Sequence, residues 1–176
     1  MRGKVKKIAL IGTQQVGKTS LINRFHHGTF NPNTVTTIGP NFLLHKFTIQ
    51  GNDVSYQLWD TAGQERYRSL SPVYYRDSSG VIAVFDLSSV DSYEEMKHCI
   101  ADFHDHHATE VHIAVTGNKL DLIEKDNNEL VNEAKSWTES QGPGYSFHIC
   151  SAATGEGVNE LFEWVAEAIY GLGLPA

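Results

Sequence analysis

A chain of 176 residues has room for one domain with a substantial core, and its 40% apolar and 20% charged side chains exclude disordered and fibrous classes. With 14 basic and 21 acidic residues the formal charge is −7, which argues against broad binding of nucleic acid or anionic lipid. Cys99 and Cys150 both lie in apolar-patterned stretches and do not make a secreted disulfide framework, so a reducing, cytoplasmic compartment is expected.

Apolar runs alternate with helical patterns along the chain, which predicts a single α/β domain over residues 1–176. Residues 5–11 (VKKIALI) read as a strand, 12–19 (GTQQVGKT) as a loop, and the segment near 18–27 as a helix with Leu21, Ile22 and Phe25 at helical spacing. The polar stretch 29–39 (TFNPNTVTTIG) is a loop too long to be idle. Segments 41–50 and 53–60 flank Gly51-Asn52 as a hairpin, placing one antiparallel pair in an otherwise parallel sheet. Residues 61–77 show no continuous apolar face. A buried strand is expected over 81–85, a helix from about Asp91 through Tyr93, Met96, Ile100 and Phe103, and strands over 111–116 and 145–150. Between the last two strands lies a helix over 129–140, and a closing helix carries the stripe Val158, Leu161, Phe162, Val165 and Ile169. The most apolar run, residues 80–85, is far below membrane-spanning length, and the N-terminus has neither a signal-peptide core nor a myristoylation site.

The loop after the first strand has the form of a phosphate cradle. Gly12 and Gly17 let the backbone approach an anion, and the following helix presents free N–H groups to it. Lys18 reaches terminal phosphates and Thr19 offers a hydroxyl to Mg²⁺. A Gly-containing turn with a chance Lys-Thr is the bland alternative, and the four fixed positions coincide by accident in roughly one chain of this length in a hundred.

Ligands of open parallel sheets sit beyond the carboxyl ends of the strands. There, Asp60 in WDTAGQE can hold Mg²⁺ while the Gly63 N–H meets a γ-phosphate. Asp121 in NKLD can accept both the N1–H and the exocyclic amine of guanine, a pattern that adenine lacks. The Lys119 stem can cover the base, Asn118 can bridge base edge and cradle, and Ser151, Ala152 and Ala153 can give backbone donors to the base carbonyl. Taken alone, an Asp at a strand end is a turn residue and NKLD a polar turn.

GTQQVGKT, TTIG, WDTAGQE, NKLD and SAA in this order resemble the Ras superfamily of small GTPases over nearly the whole chain, and TTIGPNF, WDTAGQERYRSL and Tyr74 to Arg76 are similar to its Rab branch. The resemblance implies a three-layer P-loop NTPase G domain with a mostly parallel six-stranded sheet, one antiparallel strand and helices on both faces. It implies a GTP/GDP switch that hydrolyses GTP slowly with Mg²⁺ and works in vesicle trafficking. Lys18, Thr37 and Gln64 take the catalytic roles, Gln64 by orienting water. Thr19, Thr37 and Asp60 hold the metal. Gln15, Val16 and Ser20 join the nucleotide contacts already named, and Phe30 packs on the guanine. Phe42, Trp59 and Tyr74 or Tyr75 resemble the aromatic cluster that meets effectors, with core packing as the alternative. Expected partners are effectors, exchange factors and GTPase-activating proteins, bound by a monomer on the cytosolic face of endomembranes.

Several residues depart from the family pattern. Gln14 and Gln15 replace small residues, and bulk at Gln14 is expected to slow hydrolysis. Pro40 and Asn41 alter the Rab-like stretch, and Ala153 stands where Lys is usual. The chain ends GLGLPA without a prenylatable Cys, so membrane contact is expected only through a tail outside it. His104, His106 and His107 read as a solvated helix end rather than a metal site. Rival readings are a non-hydrolysing GTP-binding scaffold and a P-loop metabolite kinase, in which NKLD would have no task.

Overall fold

The computed structural model describes residues 5–35, 37, 41–61, 71–107, 110–124 and 128–171. Six strands form one sheet: β1 (Lys6–Ile11), β2 (Asn41–Ile49), β3 (Asn52–Asp60), β4 (Ser78–Asp86), β5 (His112–Asn118) and β6 (Tyr145–Ile149). Their spatial order is β2-β3-β1-β4-β5-β6, with β2 antiparallel to β3 and every other pairing parallel. Helices α1 (Lys18–His27), α2 (Ser71–Tyr75), α3 (Val90–His106), α4 (Glu129–Ser140) and α5 (Val158–Gly171) cover the two faces.

The period-two alternation of the central strands divides the core. Ile8 and Leu10 of β1 with Ile82 and Val84 of β4 face α1 and α5, whereas Ala9, Ile11, Val81, Ala83 and Phe85 face α2, α3 and α4. All five stripe residues of α5 are buried. Phe162 stacks on Phe25 of α1 with ring centroids 4.3 Å apart.

Several elements differ from the sequence expectations. The hairpin turns at Gln50-Gly51 rather than Gly51-Asn52: Ile49 pairs with Asn52, and φ is 51° at Gln50 and 77° at Gly51. Positive φ at both central positions is the type I′ turn of a two-residue hairpin, and Gly takes the second. Strand β4 begins three residues early because Gly80 lies under α5, where a Cβ would be 2.7 Å from the Ile169 Cδ1. Helix α3 starts at Val90 because Ser89 caps it, accepting from the Ser92 N–H at 3.2 Å. A short helix, α2, occupies part of the stretch expected to lack one. Helix α3 ends at His106, and among the described residues no group of three or more His, Cys, Asp or Glu could hold a metal.

His148 of β6 lies against Trp164 of α5, and its Nε2 is shut off from solvent with no hydrogen-bond partner among the described residues. Burial holds its pKa below the ordinary 6.5. The unfolded chain therefore takes up the proton first, so this stability contribution is full above pH 6.5 and is lost as pH falls toward the folded-state pKa. Urea unfolding across that range should show a smaller acid loss for His148→Gln than for the wild type.

Candidate functional site

The glycines of the cradle are dictated first by the protein itself. At Gly12 (φ 139°) a Cβ would lie 2.3 Å from the carbonyl oxygen of Val84, and at Gly17 (φ 97°) one would lie 2.3 Å from Nδ2 of Asn118. Gly17 is also the residue before α1 and supplies no side-chain cap, so the first N–H groups of that helix face the loop unclaimed by any cap. Gln15 holds φ 64°, and Gln14 is exposed. Lys18 is buried and donates to the carbonyls of Gly12 and Thr13 at 2.8 Å each. Burial lowers its pKa to about 8, against the opposing pull of the Asp60 carboxylate.

Thr19, Thr37 and Asp60 converge from α1, the loop before β2 and the end of β3. The two hydroxyl oxygens are 2.7 Å apart, and they lie 2.5 and 3.2 Å from Oδ2 of Asp60. With the carboxylate ionised, two hydroxyl protons cannot serve three oxygen–oxygen contacts. Oδ1 of Asp60 is buried without a partner among the described residues, and burial raises the pKa of this carboxyl. Such a crowded set of hard oxygens fits a small divalent cation of the Mg²⁺ type.

At the other end, Asn118 joins two loops. Its Nδ2 donates to the Val16 carbonyl at 2.9 Å and its Oδ1 accepts from the Ala152 N–H at 3.1 Å. Lys119 takes a left-handed conformation (φ 65°) and pairs with Oδ2 of Asp86 at 2.7 Å. Burial works to raise the Asp86 pKa, but Lys119 and two donors from Ser88 outweigh it and hold the group below the ordinary carboxylate value. Asp121 stands in a short 3₁₀ turn, Leu120–Leu122, and accepts from the Ser151 hydroxyl at 2.5 Å. The Ser151 N–H is spent on the Glu156 carbonyl and the Ala152 N–H on Asn118, which leaves Ala153 as the SAA residue whose N–H neither bond occupies.

A cavity of about 510 Å³ joins these two ends. The cradle contributes Gln14, Gln15 and Gly17, and α1 contributes Lys18, Thr19 and Ser20. Phe30 and Thr37 close it from the loop before β2, and Asn118, Lys119, Asp121, Ala152 and Ala153 line the far wall. Gly12, Val16, Asp60 and Ser151 stand behind this lining, while Gly63 and Gln64 lie outside the described residues. Asn31 and Thr34, which sequence reasoning did not single out, also border the cavity. Asp86 was missed although it ends β4 in register with Asn118. Arg24 was missed too: it donates from α1 to the carbonyls of Ala152 and Ala153, and no sequence signal marks it. On the opposite face of the sheet Phe42 stacks on Trp59, centroids 4.9 Å apart, with Phe42 exposed. Tyr74 and Tyr75 pack in the core instead, Tyr75 against Phe103.

A family model described as the Ras family matches residues 7–171. This chain belongs to the Ras family. Human (Homo sapiens) Ras-related protein Rab-21 is 40% identical to it over 156 residues, covering 89% of this chain and 68% of that protein. Ras-related protein Rab-5B of Plasmodium falciparum is 39% identical over 165 residues (93% and 77%), and GTP-binding protein YPT52 of Saccharomyces cerevisiae 34% over 194 (94% and 82%). As a Rab-like small GTPase the chain binds guanine nucleotide, hydrolyses GTP and serves vesicle trafficking. No helix among its described residues is long and apolar enough to cross a membrane.

Asn118 is 1% exposed, so Asn118→Ala leaves the Val16 carbonyl and the Ala152 N–H without their partner. Two such losses should cost about 2–4 kcal/mol, read as a lower urea midpoint at unchanged slope.

Proposed function

We propose that the cavity seats GTP or GDP with its phosphates in the cradle and its base between Phe30 and the Lys119 stem. The observation that carries this reading is the single cavity reaching from Lys18 to Asp121, with Asn118 bonded to loops at both of its ends. Lys18 lies inside the cradle and would exchange its carbonyl partners for phosphate oxygens. Thr19, Thr37 and Asp60 would hold Mg²⁺, which supplies positive charge against the phosphate oxygens when bound. Ser151 fixes the Asp121 carboxylate through its hydroxyl, so Asp121 meets the guanine N1–H and amine already oriented. Gln64, assigned by its motif, orients the attacking water.

In this reading residues 1–176 form one G domain that works as a monomer on the cytosolic face of endomembranes. Thr37 tethers the loop before β2 while the γ-phosphate is present, and loss of that phosphate releases the loop. Effectors, exchange factors and activating proteins read the difference around the Phe42–Trp59 stack and the segments flanking it.

Calorimetric titration of purified protein with GDP tests the assignment. Wild type should bind it, and Asp121→Ala should weaken binding by at least about a hundredfold, since a site built to hydrogen-bond two base donors discriminates strongly. Equal affinity of the two proteins overturns the reading.

Gln14 projects at the cavity rim, on the side of the cradle. Gln14→Gly should raise single-turnover GTP hydrolysis by about tenfold, equivalent to roughly 1.4 kcal/mol of barrier. It should also restore response to an activator that supplies an arginine, whereas unchanged rates in both assays exclude crowding by Gln14.

A further inference from the structure

We propose that Arg24 is the positioning residue of the base-reading loop, taking over support that Ala153 does not give, and that it sets the grip on the carbonyl oxygen of the base. The inference rests on the nucleotide reading above. Arg24 sits in the last turn of α1, distant in sequence from the loop it holds. Its Nε donates to the Ala152 carbonyl at 2.7 Å and its Nη2 to the Ala153 carbonyl at 2.5 Å, a two-pronged arrangement that the rigid guanidinium fork favours. Its Nη1 donates to the Gly28 carbonyl at 3.2 Å, so the same side chain reaches the exit of α1 that leads to Phe30. Gly155 (φ 91°) turns the loop away, and a Cβ there would lie 3.6 Å from Cδ of Arg24.

The consequence follows from peptide geometry. Across a trans peptide the N–H of the next residue points opposite to the carbonyl. Holding the Ala152 carbonyl toward α1 therefore aims the Ala153 N–H the other way, and Ala153 lines the cavity. Since the N–H groups of Ser151 and Ala152 have internal acceptors, the Ala153 N–H is the donor this loop offers to a base carbonyl. Arg24 is not itself among the residues that line the cavity and acts through the carbonyls of Ala152 and Ala153, which are.

Three diphosphates separate this role from general support of the fold: GDP, inosine diphosphate, which keeps the base carbonyl but lacks the exocyclic amine, and thioguanosine diphosphate, which keeps both base donors but carries sulfur, a weak acceptor, in place of the oxygen. Dissociation rates are measured by displacement for wild type, Arg24→Ala and Arg24→Lys. Arg24→Ala should release GDP and inosine diphosphate about tenfold faster than wild type and thioguanosine diphosphate at most about twofold faster. Arg24→Lys keeps the charge but reaches one carbonyl at a time, and should show the same selectivity at smaller size; it carries the test if Arg24→Ala does not fold. Release of all three nucleotides accelerated by one common factor, or not accelerated at all, overturns the proposal. Failure of wild type to bind any of them overturns instead the nucleotide reading on which the proposal stands.

Discussion

The buried side-chain amide of Asn118 is the contact on which the remaining site geometry depends. It belongs to the end of β5, donates to the cradle at Val16 and accepts from the loop after β6 at Ala152. Three segments far apart in sequence are thereby held at fixed spacing by one group with no freedom to move, since both of its polar atoms are committed. The absence of a Cβ at Gly17 is part of the same arrangement, because any side chain there would occupy the place of the Asn118 amide nitrogen. Gly17 therefore serves the packing between loops as well as the approach of an anion, and the two needs coincide on one residue.

At the phosphate end the protein carries a load that only a ligand relieves. Lys18 and Asp60 are both withdrawn from water, and burial pushes their pKa values toward the neutral forms, down for the amine and up for the acid. Among the described residues neither is neutralised by a direct ion pair. Lys18 is occupied by two backbone carbonyls, and Asp60 crowds against two hydroxyls while its second oxygen stays unpartnered among the described residues. Buried charge held this way costs folding free energy and favours the bound state, as expected where function rather than stability has set the residues.

Much of this was legible in the sequence because the informative residues stand at fixed offsets from strand ends. The cradle, Asp60, the NKLD segment and the SAA loop each follow an apolar run, and the parallel sheet brings those ends to one edge. The one antiparallel pair also followed from the expected hairpin, whereas the order of the strands was not read from the sequence. What stayed hidden depends on contacts across the chain. The start of β4 at Ser78 runs through Ser78, Ser79 and Gly80, small residues that carry no strand signal of their own, and only the fold shows Gly80 packed against α5. The ion pair of Lys119 with Asp86 and the fork of Arg24 on the Ala152 and Ala153 carbonyls join residues that nothing local connects. The turn at Gln50-Gly51 was displaced by one residue because composition identifies a turn while φ decides which residue occupies which position.

The register of β2 on β3 links the nucleotide end to the outer surface. Asn41 pairs with Asp60 and Phe42 pairs with Trp59, so the oxygen cluster and the aromatic stack are neighbours along one ladder. Successive side chains of a strand point to opposite faces, which puts Asp60 toward the site and Trp59 toward the exterior of the same strand. Lys7 of β1 fastens the far side: it lies 4.0 Å from the Trp59 ring centroid and donates to the Tyr74 and Arg76 carbonyls at the end of α2. Its three attachments leave the indole little room to shift independently of α2. The register of the ladder therefore sets the buried carboxylate beside the exposed aromatic face.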